Sequence, residues 1–150
     1  MYDAAYLALE KLNDGQYPLK ALLLITDGED NHSRYSLSNI KEFVKENDTQ
    51  IFAIGITSDY GPGRAGRAMI QELAEISGGR AFFPASVYDL EDICTKIAVG
   101  LRNQYVLGYR STNSNKDGKW RKIRVKVTPP AGMPHLTVHA KPGYNAAQFD

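Results

Sequence analysis

Apolar and polar positions follow two different rhythms along this chain. Tyr2, Tyr6, Leu9 and Leu12 recur every three or four residues, which predicts a helix with one apolar stripe. Asn13-Asp14-Gly15 ends it with turn chemistry. Ala21 to Ile25 is apolar without interruption, between Lys20 and Thr26-Asp27-Gly28. A short run apolar on both faces predicts a strand covered by helices on both sides, as in parallel sheets. Ser36 or Ser38 can cap a second helix carrying Ile40, Phe43 and Val44 on one face. Ile51 to Ile56 reads as a second buried strand. A loop rich in Gly and Arg follows, then a helix through Met69, Leu73 and Ile76 closed by Gly78-Gly79. Arg80 to Pro84 is a shorter third strand. Asp89 to Gln104 is a last helix, with Leu90, Ile93, Cys94, Ile97 and Leu101 inward.

Strands that alternate with helices imply right-handed crossovers and a parallel sheet. The rhythm then changes. Tyr105 to Tyr109, Arg121 to Thr128 and Leu136 to Ala140 read as strands with no helices between them. Asn113 to Gly118 is a turn signal. Ile123, Val125 and Val127 alternate with Lys122, Arg124 and Lys126, so this second sheet has one wet face. No internal repeat or low-complexity segment is present.

Composition narrows the class without naming a function. The 150 residues are 43% hydrophobic and 23% charged, which fits one soluble domain. The single cysteine, Cys94, excludes an internal disulfide framework and reads as a core thiol. A formal charge of +1 gives no global pull toward nucleic acid or anionic membrane. The apolar runs fall far short of the roughly 20 residues of a membrane span. The N-terminus has an early acid and no basic n-region, unlike a signal peptide.

The leading candidate site is Thr26-Asp27-Gly28-Glu29-Asp30-Asn31, at the C-terminal end of the first strand, where open parallel sheets gather ligands. Its three carboxylates are hard oxygen donors suited to magnesium or calcium. The same segment also reads as a solvated acidic turn that caps the next helix. Gly61-Pro62-Gly63-Arg64-Ala65-Gly66 formally satisfies G-x-G-x-x-G. Thr57 to Tyr60 separate it from the strand, and Pro62 removes a donor, so an exposed loop is the expectation. Arg64 and Arg67 could still hold an anion. Together with the Asp27 cluster, and with Asp59 or His32 as base, they would make a metal-assisted phosphoryl or ester hydrolase. His135 and His139 stand four apart but on a strand pattern, so they read as solvent-facing. Lys119 to Lys126 forms a basic stripe beside Trp120. It can track a phosphate backbone or protect an edge strand, and the near-neutral charge favours the edge.

Three segments in series resemble the second half of a von Willebrand factor type A (VWA) domain. They are Ala21 to Gly28, Ile51 to Ile56, and Leu73 to Phe83. Gln104 to Tyr109, Asp117 to Ile123 and Pro142-Gly143-Tyr144 look like a bacterial subfamily with a β extension. The resemblance implies a Rossmann-like three-layer α/β/α fold over residues 1–104, partial and lacking its first strands. A C-terminal antiparallel β extension over 105–150 would pack on it. It also implies a non-enzymatic adhesion or protein-binding module and an exported parent protein, though the compartment is not given by the sequence. The family's metal-ion-dependent adhesion site joins a D-x-S-x-S loop, a threonine on a later loop and the aspartate of T-D-G. Only the last maps here, to Asp27, and no D-x-S-x-S occurs. Tyr2-Asp3-Ala4 resembles the helix just beyond the family's threonine. The expectation is therefore an incomplete site that binds Mg²⁺ weakly at Asp27, with Thr26, Glu29 and Asp30 as rim contacts. The strand from Leu22 to Ile25 is expected to lack a neighbour and to pair with a second copy or with the chain's own C-terminal strands.

Overall fold

The computed structural model describes residues 1–30, 32–56 and 62–146. It is a mixed α/β structure built on a small parallel sheet. In chain order the elements are α1 (Tyr2–Asn13), β1 (Lys20–Thr26), α2 (Leu37–Glu46), β2 (Thr49–Gly55), α3 (Pro62–Ser77) and β3 (Arg80–Phe82). A single 3-10 turn (Val87–Asp89) then leads into α4 (Leu90–Arg102), and β4 (Trp120–Lys122) and β5 (Gly143–Asn145) close the series. The order β1-β2-β3 is parallel throughout, with Leu23 beside Phe52, Ile25 beside Ile54 and Ala53 beside Ala81.

Local chemistry sets the element ends. Ser36 caps α2 through a reciprocal box. Its hydroxyl accepts from the Asn39 N–H at 3.3 Å, and its own N–H donates to Asn39 Oδ1 at 2.9 Å. At the end of α3, Gly78 (φ 78°) donates to the Glu75 carbonyl and Gly79 to the Ala74 carbonyl, the paired bonds of a Schellman ending. The buried Ser77 hydroxyl accepts from Ile51 N–H at 2.8 Å, tying that ending to β2.

Odd and even positions of the strands face different helices. Ala5 and Leu9 of α1, Ile40 and Val44 of α2, and Met69, Ile70 and Leu73 of α3 pack with Ile51 and Ala53 on one face. Ile93 and Ile97 of α4 pack with Phe52, Ile54 and Phe82 on the other. β2 is consequently buried on both sides. β1 is not, which corrects the expectation for Ala21 to Ile25. Leu22 and Leu24 pack under the helices, but Leu23 and Ile25 remain 47% and 60% exposed on the α4 face. Among the described residues, α4 is the one helix on that face, and it sits over β2 and β3.

Other expectations change for similar reasons. Pro62 to Gly66 is helix rather than loop, since proline suits a helix start. Gly61, Thr57 to Tyr60 and Asn31 lie outside the described residues. Cys94 is exposed and Leu101 is 38% exposed, because α4 meets the sheet through the narrow stripe Leu90, Ile93 and Ile97. The C-terminal strands shrink to one antiparallel ladder that pairs Trp120 with Asn145 and Lys122 with Gly143. Tyr105 to Tyr109, Ile123 to Thr128 and Leu136 to Ala140 are extended in pattern but are not strands. A ladder needs a partner in register, and Tyr105, Val106 and Leu107 stand 68–92% exposed without one. Nor do β4 and β5 pair with β1. They lean on α2, with Lys45 Nζ 5.5 Å from the Trp120 ring centre and Lys141 Nζ donating to the Asn47 carbonyl at 2.8 Å. Among the described residues, no helix is long and apolar enough to cross a membrane.

Gly79 has no room for a side chain, because a Cβ there would lie 2.0 Å from the Ile51 carbonyl oxygen. The obstacle is backbone and cannot rotate away. Gly79→Ala is expected to cost at least about 1–3 kcal/mol, the usual range for overpacking. A urea denaturation midpoint unchanged from the parent would contradict this packing.

Candidate functional site

The C-terminal ends of β1 and β2 lie side by side, and Ile56 N–H donates to the Thr26 carbonyl at 2.8 Å, one step past the ladder. From there the chain turns sharply. Thr26 Oγ1 accepts from Gly28 N–H at 3.1 Å, and Asp27 Oδ1 accepts from Glu29 N–H at 3.0 Å. Both are short side-chain-to-backbone loops of the kind that Thr and Asp form in turns. Gly28 (φ 81°) sits against α3, where a Cβ would meet the Gly66 Cα at 2.7 Å. Two glycines thus bring the turn and the helix into backbone contact. Asp27 and Glu29 reach solvent beside this contact.

Asp30 behaves differently. Its side chain is turned inward and only 9% exposed. It accepts from the Met1 ammonium, from the Tyr2 N–H at 3.1 Å, from the Ser33 hydroxyl at 2.6 Å and from the Ser33 N–H at 3.3 Å. A carboxylate at the start of a helix also meets the positive end of its dipole. The Met1 ammonium first, then Ser33, hold the Asp30 carboxyl well below the ordinary carboxylate value of 3.8. Tyr2 shifts the other way: burial first, then the Asp30 charge, raise its phenol. Asp3 makes the reciprocal contact, with Oδ1 accepting from the backbone of Arg34 at 2.8 Å and Tyr35 at 2.9 Å. Two crossed carboxylates therefore clasp α1 to the segment between β1 and α2.

The remaining candidates scatter. Arg64 is exposed on α3, and Arg67 lies 4.0 Å over the Phe83 ring. His32 is exposed, and Asp59 lies outside the described residues. His135 and His139 are exposed in irregular chain before β5. Arg121 of the basic stripe turns back on its own loop, donating to the Asn115 carbonyl and Asp117 Oδ1. Among the described residues, no three His, Cys, Asp or Glu side chains converge in a way that could hold a metal ion. Asp3 and Ser33 were not singled out from the sequence. An acid in the first turn of a helix was the available signal for Asp3, whereas Ser33 had none.

No family model, no curated protein and no solved structure matches this chain.

The Asp30 clasp makes stability depend on acidity. A carboxyl lowered in the folded state contributes fully above its unfolded value, and that contribution is lost as the pH falls. Unfolding midpoints should therefore fall as the pH passes below 3.8. Asp30→Asn should be less stable at neutral pH and should flatten the acid limb. An acid limb identical to the parent's would contradict the clasp.

Proposed function

We propose that this chain is a non-enzymatic protein–protein interaction or adhesion module of the von Willebrand factor A type. In this reading its cation site is incomplete, with Asp27 holding Mg²⁺ only weakly. The observation that carries the interaction role is the state of β1. Among the described residues it is an edge strand, paired on one side only, and its Leu23 and Ile25 are exposed on the α4 face. Ile56 continues the same apolar row at 63% exposure. An edge that is both unpaired and apolar is a template for another strand. The VWA assignment rests on the residue series from Ala21 to Phe83, and the parallel order β1-β2-β3 agrees with it.

The partner in this proposal is a second copy, joined through antiparallel β1 edges. With Leu23 opposite Leu23, Ala21 falls opposite Ile25 and the two apolar rows become continuous. Magnitudes decide how tight such a pair is. Fully burying a Leu or Ile is worth about 1.5–3 kcal/mol, so the roughly half-exposed Leu23 and Ile25 offer at most about 3–6 kcal/mol across two copies. Association costs at least about 4 kcal/mol in lost freedom. The apolar row alone therefore falls near balance, and the new ladder of hydrogen bonds sets the outcome. The pair should be reversible and dependent on concentration.

Light scattering over a concentration series should show the mass rising from 16.6 kDa toward twice that value. Ile25→Lys, which places a charge within the joined apolar row opposite Ala21 of the other copy, should hold the chain at the monomer mass. A parent that stays monomeric at its highest soluble concentration would overturn this partner.

A further inference from the structure

A second surface, on the opposite side of the sheet from the bare β1 row, has a different chemistry. Between α1 and α2 lies a groove of about 170 Å³ lined by Tyr6, Tyr35, Asn39, Glu42, Phe43 and Glu46. Its aromatic part is preset. The Tyr6 and Tyr35 rings stack at 3.8 Å and 9°, and Phe43 meets Tyr6 edge-on at 5.2 Å and 67°. Tyr35 is held there by its backbone, whose N–H donates to Asp3 Oδ1. The three rings are only half-buried, so part of their surface remains open to the groove.

The charged part of the groove is unbalanced. Glu42 and Glu46 stand one helical turn apart, both exposed, and like charges at that spacing repel. The two lysines of α2 are engaged elsewhere. Lys41 pairs with Glu72 at 2.6 Å, and Lys45 lies over Trp120. Among the described residues, neither glutamate has an ion-pair partner. Asn39 is neutral, and its amide oxygen is taken by the capping box of α2.

Ring surfaces beside two unpaired carboxylates favour a cation on both counts. The ring quadrupole attracts positive charge, and the carboxylates accept charge-assisted hydrogen bonds. A planar guanidinium satisfies both at once, since it can lie on an aromatic face and fork its donors to carboxylates. A compact ammonium ion can do only part of this. We infer that the groove between α1 and α2 docks an arginine side chain of a partner polypeptide. The inference does not depend on the β1 edge, and its readout is local to the groove, so either can fail without the other.

The test titrates the ¹⁵N-labelled full chain with the capped tripeptides Gly-Arg-Gly, Gly-Lys-Gly and Gly-citrulline-Gly, following backbone amide shifts. Gly-Arg-Gly should give saturable shifts centred on Tyr35, Glu42, Phe43 and Glu46. Citrulline keeps the shape of arginine without its charge and should bind at least about tenfold more weakly, as the loss of a cation–π and charge contribution predicts. The double variant Glu42→Gln/Glu46→Gln, made at two exposed positions, should keep the parent spectrum elsewhere and lose the binding by a similar factor. Equal affinity for citrulline, equal affinity for lysine, shifts centred elsewhere, no saturable shift, or undiminished binding by the double variant would each overturn the proposal.

Discussion

Helix α4 reaches the sheet through Ile93 and Ile97, one turn apart, and these two side chains cover Phe52, Ile54 and Phe82. Among the described residues α4, with Leu90 also packed there, is the one α-helix on that face, whereas three helices share the opposite one. This imbalance sets the character of the molecule. β2 is sealed on both sides and supplies the core, while β1 is sealed on one side and left bare on the other. The strand bearing the candidate acidic turn is therefore also the strand with a free edge and an uncovered apolar row. In the proposed reading, stability and function draw on the same geometry, because a fourth strand or a covering surface would complete what α4 leaves open.

The acidic turn at the tip of β1 divides its labour. Asp27 and Glu29 face solvent, and Asp30 faces the start of α1. Asp3 crosses in the other direction to the backbone of Arg34 and Tyr35. A carboxylate that accepts several hydrogen bonds is favoured in its charged form, and Asp30 is held ionised in this way. The further effect of the clasp is positional. By fixing Tyr35, Asp3 brings that ring onto Tyr6, and the groove beside Glu42 and Glu46 follows from this stacking. What reads as a cluster of acids in the sequence is thus partly a fastening.

The parts of the fold that announce themselves locally were legible in the sequence. The unbroken apolar runs marked β1 and β2, the pair Ser36 and Ser38 marked the start of α2, where the structure uses Ser36, and Gly78-Gly79 marked the end of α3, because each depends on neighbours within a few residues. What depended on distant partners was not. Nothing local says that Leu23 and Ile25 lack a helix above them, since that depends on where α4 crosses. Cys94 is in phase with Ile93 and Ile97 only if the apolar stripe is broad, and here it is narrow. Ile123, Val125 and Val127 carry a clear strand alternation, yet the regular ladder stops at Lys122: Ile123 N–H still donates to the Pro142 carbonyl, but Pro142 has no N–H to return the bond. Asp30 was legible as an acid near the site, but its engagement with residues 28 and 29 positions earlier in the chain was not.

Amide hydrogen exchange along Leu22 to Ile25, measured at low and high protein concentration, tests the exposed edge most directly. If the edge recruits a second copy, those of its amides that point away from β2 exchange quickly in dilute solution and slow markedly as the concentration rises. The amides of β2 should stay protected throughout. Exchange at the edge that is equally fast, or equally slow, at both concentrations would contradict the account.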